Sequence, residues 1–128
     1  MKSKKNVVVG LGEIGNPLYK IISKATLCVG FDIDKNLMNQ SKFQRYLKNE
    51  TSFLHICIPY NNTFEKNVIK LTKKFEPEYI VIHSTVKPYT SEKLQKCFSI
   101  PIIYSPVRGV HKRMIYDLKR YSKFFAVD

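Results

Sequence analysis

Residues 6–18 read NVVVGLGEIGNPL, in which a β-branched run meets three glycines spaced as Gly-x-Gly-x-x-Gly. The valines predict a strand, and the residues after the last glycine predict a helix. In such a unit Gly10 permits the tight turn, Gly12 lets a pyrophosphate approach the backbone, and Gly15 allows close helix–strand packing. The unpaired N–H groups and the positive dipole end of the helix favour phosphate. This stretch therefore predicts a dinucleotide-binding α/β domain.

An acidic residue follows at the distance that such a domain requires. Asp32 comes seventeen residues after Gly15 and follows a second apolar run. Its carboxylate can accept hydrogen bonds from a ribose diol and repels a 2′-phosphate, so it favours NAD over NADP, with Lys35 nearby as a modest counterargument. We expect the cofactor to contact Gly10, Leu11, Gly12, Glu13, Ile14, Gly15, Asp32, Ile33, Ile58, Pro59, Ser84 and Thr85. The alternative is a degenerate turn that packs well and binds nothing.

Strand and helix patterns alternate along the whole chain, and the strands are almost continuously apolar, which is typical of a parallel sheet covered on both faces. The predicted strands are Asn6–Val9, Thr26–Phe31, Phe53–Ile58, Tyr79–Ile82, Pro101–Tyr104 and Lys123–Val127. The predicted helices are Ile14–Ser23, Thr63–Phe75 (with Phe64, Val68, Leu71 and Phe75 on one stripe), Thr90–Cys97 (capped by Thr90 or Ser91) and Met114–Tyr121. The pattern predicts an α/β fold with a Rossmann-like, doubly wound, mostly parallel sheet of five to six strands.

The segment between Asp32 and Phe53 is short for this fold. A complete Rossmann domain places a helix, a third strand and often another helix at this point. This chain has room for one helix-like segment, Lys35–Leu47. We therefore expect the third strand to be absent or reduced.

Length and composition limit the classes of function. The chain has 128 residues, an apolar fraction of 44% and no linker-like segment, so we expect residues 1–128 to form one domain. A dehydrogenase usually needs a separate region that holds the substrate, which would here be missing or supplied in trans. The net charge of +12 indicates anionic ligands. Because no nucleic-acid-binding motif accompanies that charge, a nucleic acid is not the partner that we expect.

The sequence also predicts a cytoplasmic protein without a metal site. No run is long enough to cross a bilayer, and no signal-peptide core follows the basic start. Cys28, Cys57 and Cys97 do not have the spacing of metal ligands, and three cysteines cannot all pair within one chain.

Polar side chains follow the carboxyl ends of the predicted strands, where ligands of parallel sheets bind. The hydroxyls of Ser84 and Thr85 can meet the nicotinamide half of the cofactor, or they simply cap a turn. His83 ends a buried strand and is more often a structural group than a base. A later loop carries three cationic side chains suited to an anionic substrate, unless they are a solvated surface: Arg108, His111 and Lys112. Of these, His111 is the best acid–base candidate, since its unperturbed pKa lies near neutrality.

Four segments match one family. They are residues 8–18 (VVGLGEIGNPL), 29–34 (VGFDID), 55–59 (HICIP) and 84–90 (STVKPYT). Together they resemble the N-terminal domain of the UDP-glucose/GDP-mannose dehydrogenase family, within the 6-phosphogluconate dehydrogenase-like Rossmann superfamily. In the last segment Tyr89 replaces a glycine of the family's Ser-Thr-Val-x-Pro-Gly-Thr pattern.

The resemblance implies NAD bound by the three glycines and Asp32, with Pro59, Ser84 and Thr85 near the nicotinamide, and oxidation of a sugar-nucleotide alcohol. The family's catalytic cysteine and lysine lie in later domains, and the context of Cys97 does not match that cysteine. We therefore expect the cofactor half of such an enzyme, with oxidoreductase activity only when a partner or a second subunit completes the site. The alternative is a free-standing NAD-sensing module without catalysis.

Overall fold

The computed structural model of the protein describes residues 3–87 and 89–105. Five parallel strands form one sheet that helices flank, which confirms the predicted Rossmann-like α/β fold. The elements are β1 (Lys5–Val9), α1 (Gly15–Ala25), β2 (Cys28–Phe31), a 3-10 turn (Lys35–Leu37), α2 (Gln40–Arg45), β3 (Thr51–Ile56), α3 (Phe64–Phe75), β4 (Tyr79–Ile82), α4 (Thr90–Gln95) and β5 (Ile102–Tyr104). The predicted helix Met114–Tyr121 and strand Lys123–Val127 lie outside the described residues.

The strand order is β2-β1-β3-β4-β5, so the chain moves outward from β1 first to one side and then to the other. Val9 pairs with Phe31 of β2 and with Ile56 of β3, which makes β1 a central strand. The order reverses between β1 and β3. In open parallel sheets, ligands bind outside the carboxyl ends of the strands at such a switch point.

The alternation of side chains along β1 divides the core into two layers. Val7 and Val9 belong to the larger cluster, in which Phe64 and Val68 of α3 are fully buried. Val8 faces the other way and packs with Leu18 of α1. Both helices therefore lie against the central strand from opposite faces, which is the arrangement of a doubly wound domain.

The buried face of helix α3 differs from its prediction at one position. Phe64, Val68 and Phe75 are buried as expected, whereas Leu71 is only partly buried. The fourth buried side chain of α3 is Thr72, whose hydroxyl donates to the Val68 carbonyl oxygen over 2.8 Å. Because the hydroxyl is bonded within the helix, its burial carries little penalty.

The third strand is absent from the described part of the chain, where β2 forms the edge of the sheet. The single helix expected over Lys35–Leu47 is wrong: a 3-10 turn and the six-residue α2 replace it. Each of these two elements has its own N-terminal cap. The Asp34 carboxylate accepts from the Asn36 N–H at the 3-10 turn. The Asn39 amide oxygen accepts from the Lys42 N–H at α2. Met38, which lies between the 3-10 turn and α2, has an extended backbone and so ends the 3-10 turn.

The replacement segment covers the edge that a third strand would have paired. Met38 packs against both core clusters, so it reaches around β2. Phe43 of α2 is buried, with its ring centroid 5.3 Å from that of Phe31 and 6.2 Å from that of Phe75. An uncovered edge strand invites pairing with other chains, and this apolar cover removes that hazard.

Several predicted boundaries also shift. Strand β2 begins at Cys28 because Thr26 still belongs to the end of α1, donating its N–H to the Ile22 carbonyl over 2.9 Å. Strand β3 begins two residues early, at Thr51, which pairs with Lys5. Helix α4 ends at Gln95, whose side-chain oxygen accepts from the Ile102 N–H over 2.8 Å and so ties the helix to β5.

Helix α4 does not have the predicted cap. Neither Thr90 nor Ser91 caps it; Tyr89 is the N-cap residue, without a side-chain hydrogen bond and with φ of +69°. This left-handed conformation costs a residue with a side chain about 1–2 kcal/mol. The strain falls on the position that the family pattern gives to glycine.

We expect Tyr89→Gly to raise the free energy of unfolding by about 0.5–1 kcal/mol, because relief of the positive φ exceeds the entropy cost of glycine. Thermal and urea unfolding check this increase. Tyr89→Ala is the matched control, since it removes the same exposed ring and keeps the strain. An equal effect of both substitutions would show that the ring, and not the backbone angle, sets the stability at this position.

Candidate functional site

A cleft of about 1170 Å³ opens at the switch point, which is somewhat larger than the range of about 300–1,000 Å³ typical of small-molecule sites. It lies at the carboxyl edge of the sheet, between the glycine turn, the end of β2, the ends of β3 and β4, and one side of α3. Its lining includes ten of the twelve residues predicted to contact the cofactor: Gly10, Gly12, Glu13, Ile14, Asp32, Ile33, Ile58, Pro59, Ser84 and Thr85.

The other two predicted contacts do not line the cleft. Leu11 is buried beneath the turn, and a Cβ added to Gly30 would lie 2.9 Å from the Leu11 side chain. Gly15 is buried at the start of α1. Both residues support the turn from below. The Leu11 side chain packs in the core and Gly15 has its predicted packing role, while the cofactor contact of both residues stays a prediction.

Two glycines are required by the backbone itself. Gly10 has φ of +90°, and a Cβ there would approach the Cys57 carbonyl oxygen to 2.8 Å. A Cβ at Gly15 would lie 1.6 Å from the Gly10 carbonyl oxygen, so only glycine allows α1 to start so close to β1. These are the turn and packing roles that the sequence predicted.

Gly12 differs from the other two because nothing lies within 4 Å of the position of its Cβ. The glycine is not needed for internal packing, and it borders the open cleft. Helix α1 begins directly behind it, with no side-chain hydrogen bond at its N-cap Ile14 and no acidic residue in its first turn. An uncapped helix N-terminus beside open space is suited to an anion.

Asp32 is held by two backbone groups. Its Oδ2 accepts from the Leu11 N–H over 2.7 Å, and its Oδ1 accepts from the Asp34 N–H over 2.9 Å. The first bond joins the end of β2 to the glycine turn. Each carboxylate oxygen retains further acceptor capacity toward the cleft. The sequence predicted the ligand-facing role of this acid but not its structural one.

The two predicted hydroxyl contacts behave differently. Ser84 is buried and its hydroxyl donates to the Ile58 carbonyl oxygen, so it joins the ends of β3 and β4. Thr85 is exposed at the cleft. The Ser84 hydroxyl thus has the structural role, which is one of the two alternatives for these hydroxyls. Thr85 is instead exposed to the open space of the cleft.

Behind this edge lies a buried pair of histidines. His55 Nδ1 and His83 Nε2 are 2.9 Å apart, and the two rings stack with centroids 5.2 Å apart. Burial lowers the pKa of His83 to about 4, and the backbone of Ser105 opposes part of that shift. Burial, with a contribution from His83, holds the pKa of His55 well below 6.5. A neutral pair can share one N–H···N bond, which agrees with a structural role for His83.

Cys57 also lines the cleft, but burial raises the pKa of its thiol far above the usual range. Burial likewise raises the pKa of Cys28 to about 12. Because the thiolate is the nucleophilic form, neither cysteine is activated for covalent chemistry. Among residues 3–87 and 89–105, no group of three or more His, Cys, Asp or Glu side chains could hold a metal ion.

The predicted cationic loop stays a prediction, since Arg108, His111 and Lys112 lie outside the described residues. The acid–base role of His111 is therefore also untested. In the part of the chain that the structure describes, no helix has the length and apolarity needed to span a membrane.

The histidine pair predicts a loss of stability on acidification. Both folded-state pKa values are depressed, so the unfolded chain, with a histidine pKa near 6.5, binds protons that the fold excludes below that pH. Stability is complete above pH 6.5 and falls toward pH 4. From His83 alone we expect the free energy of unfolding to decrease by about 2 kcal/mol between pH 7.5 and 5.

Urea unfolding at several pH values measures this decrease, and His83→Asn should reduce it by the share of His83, since His55 stays buried. Proton NMR of the histidine rings gives a second measurement in the intact protein. Ring signals of His55 and His83 that titrate with ordinary pKa values would contradict the assignment.

Comparison of the sequence with protein-family models gives no match, and comparison with curated proteins gives none either. The function therefore rests on the site itself.

Proposed function

We propose that this domain binds a dinucleotide, NAD, in the cleft at the carboxyl edge of the sheet. The observation that carries the proposal is the open position at Gly12, which borders the cleft at the uncapped start of α1. A pyrophosphate placed there would meet backbone N–H groups and the positive end of an eleven-residue helix. In packing terms alone, a larger residue would be tolerated at this position.

The remaining lining fits the two halves of such a ligand. Asp32 lies at the end of β2, where a carboxylate accepts hydrogen bonds from the ribose of the adenosine half. Ile33 and Leu37 are exposed beside it and offer an apolar wall to a base. Pro59 and Thr85 lie at the β3 and β4 ends, toward the proposed nicotinamide half. NAD, when bound, supplies the hydride-transfer chemistry, while these residues bind and orient it.

We further propose that the chain is the cofactor half of an oxidoreductase similar to the UDP-glucose/GDP-mannose dehydrogenases, completed by a partner or a second subunit. Four segments of the sequence support this family. The described part of the cleft offers no activated thiol, since the pKa of Cys57 is raised by burial. A substrate-holding surface must then come from elsewhere, and the cationic Arg108–Lys112 loop remains our candidate for binding an anionic substrate.

The second candidate function is an NAD-sensing module without catalysis. The same observation of a cofactor cleft without an activated thiol favours it. Loss of NADH absorbance on mixing the protein with candidate sugar nucleotides would support the enzyme. A change in oligomeric state with NADH on sizing chromatography, without turnover, would instead support the sensor.

The substitution Gly12→Ala tests dinucleotide binding directly. A methyl group there meets no protein atom within 4 Å, so we expect the fold to keep its stability. The methyl group would occupy the space that we assign to the pyrophosphate. We expect the Kd for NADH, measured by calorimetric titration, to rise at least about tenfold, which corresponds to about 1.4 kcal/mol.

Gly15→Ala serves as the contrasting variant. It places a methyl group against the Gly10 carbonyl and should lower the unfolding temperature. If Gly12→Ala binds NADH as tightly as the unsubstituted protein, the phosphate does not lie at this turn and the proposal is wrong.

A further inference from the structure

Among the described residues, Lys70 is a cation at the cleft for which no ion pair is found. It lies on α3, and it is the one lysine or arginine among the cleft-lining residues of the described chain. Within residues 3–87 and 89–105 the ion pair found is that of Lys4 with Glu78, at 3.0 Å, so no described carboxylate pairs with Lys70. Neighbouring lysines are engaged: Lys74 lies over the Phe31 ring at 5.5 Å and Lys42 contacts the Tyr19 hydroxyl at 3.2 Å.

The position of Lys70 follows from that of Lys74. Helix α3 connects two parallel strands, so it starts at the carboxyl edge of the sheet and runs back toward the amino edge. Lys70 precedes Lys74 by four residues and lies about one turn, or about 5–6 Å, nearer the carboxyl edge on the same face. Lys74 contacts Phe31, the last residue of β2. Lys70 therefore lies level with the residues that follow β2, and it lines the same cleft as Asp32.

The Asp32 carboxylate is already bonded on both oxygens, to the N–H groups of Leu11 and Asp34. These two donors fix the carboxylate in place. Within the described chain, the cleft thus holds one fixed, doubly bonded carboxylate and one ammonium group that no described carboxylate pairs with. An acid alone at this point rejects a 2′-phosphate, whereas a nearby cation accommodates it.

We infer that Lys70 is a specificity-determining residue that pairs with a phosphate on the adenosine ribose, so that the cleft accepts NADP as well as NAD. This inference rests on the proposed dinucleotide site and deepens it. It assigns the two ribose-end charges opposite effects: Asp32 favours the free 2′-hydroxyl, and Lys70 favours the 2′-phosphate.

The test is calorimetric titration of NADH and NADPH against the unsubstituted protein, Lys70→Met and Lys66→Met. Lys66 is the matched control, an exposed lysine one turn earlier on α3 that does not line the cleft. We expect the unsubstituted protein to bind both ligands with Kd values within about tenfold of each other. Lys70→Met should raise the Kd for NADPH about tenfold and change that for NADH less than about twofold, whereas Lys66→Met should leave the ratio unchanged.

Two outcomes would overturn the inference while leaving the proposed function intact. One is an equal effect of Lys70→Met and Lys66→Met on both ligands. The other is an equal loss of NADH and NADPH affinity in Lys70→Met alone, which would place the lysine on the shared pyrophosphate. If the unsubstituted protein binds neither ligand, the proposed function fails and the inference with it. Because Lys70 is exposed, an unchanged unfolding temperature should show that Lys70→Met is folded.

Discussion

The hydrogen bond from the Leu11 N–H to the Asp32 carboxylate, 2.7 Å long, is the interaction on which the site depends. It joins the glycine turn between β1 and α1 to the end of β2, where the Leu11 side chain also packs against Gly30. With Gly10 turning the chain and Gly15 bringing α1 against β1, this bond fixes where the helix N-terminus points. The glycine turn and the acid at the cleft are thereby joined, an arrangement that would preorganise the cleft for the proposed dinucleotide.

The missing third strand shapes the same cleft from the outside. In its place, Met38 reaches around the β2 edge and Phe43 fills the core beside Phe31. The turn that carries Met38 also brings Leu37 to the cleft, next to Ile33. The short segment after β2 thus closes the sheet edge and also places two apolar residues, Ile33 and Leu37, at the cleft.

The sequence could predict features that depend on local pattern, and not those that depend on pairs of distant residues. The valine run of β1, the glycine turn and the absent third strand follow from spacing and length. The His55–His83 contact joins residues 28 positions apart, and the Leu11–Asp32 bond joins residues 21 positions apart. In the sequence alone, nothing distinguishes these partners from other residues until the alignment of the strands is known. The split between the 3-10 turn and α2 depends on the Asn39 cap. This cap is a local sequence signal, but a prediction from helical spacing alone does not use it.

The charges of the cleft lining limit where attraction for the proposed phosphate could come from. Among described residues, its lining carries the carboxylates of Glu13 and Asp32 against the single ammonium of Lys70. The side chains therefore do not make the turn positive. The net charge of +12 acts at long range, and salt screens it beyond about 8 Å at physiological ionic strength. At the turn itself, attraction for the proposed pyrophosphate would rest on backbone N–H groups and the α1 dipole, which open onto the cleft because residue 12 has no side chain.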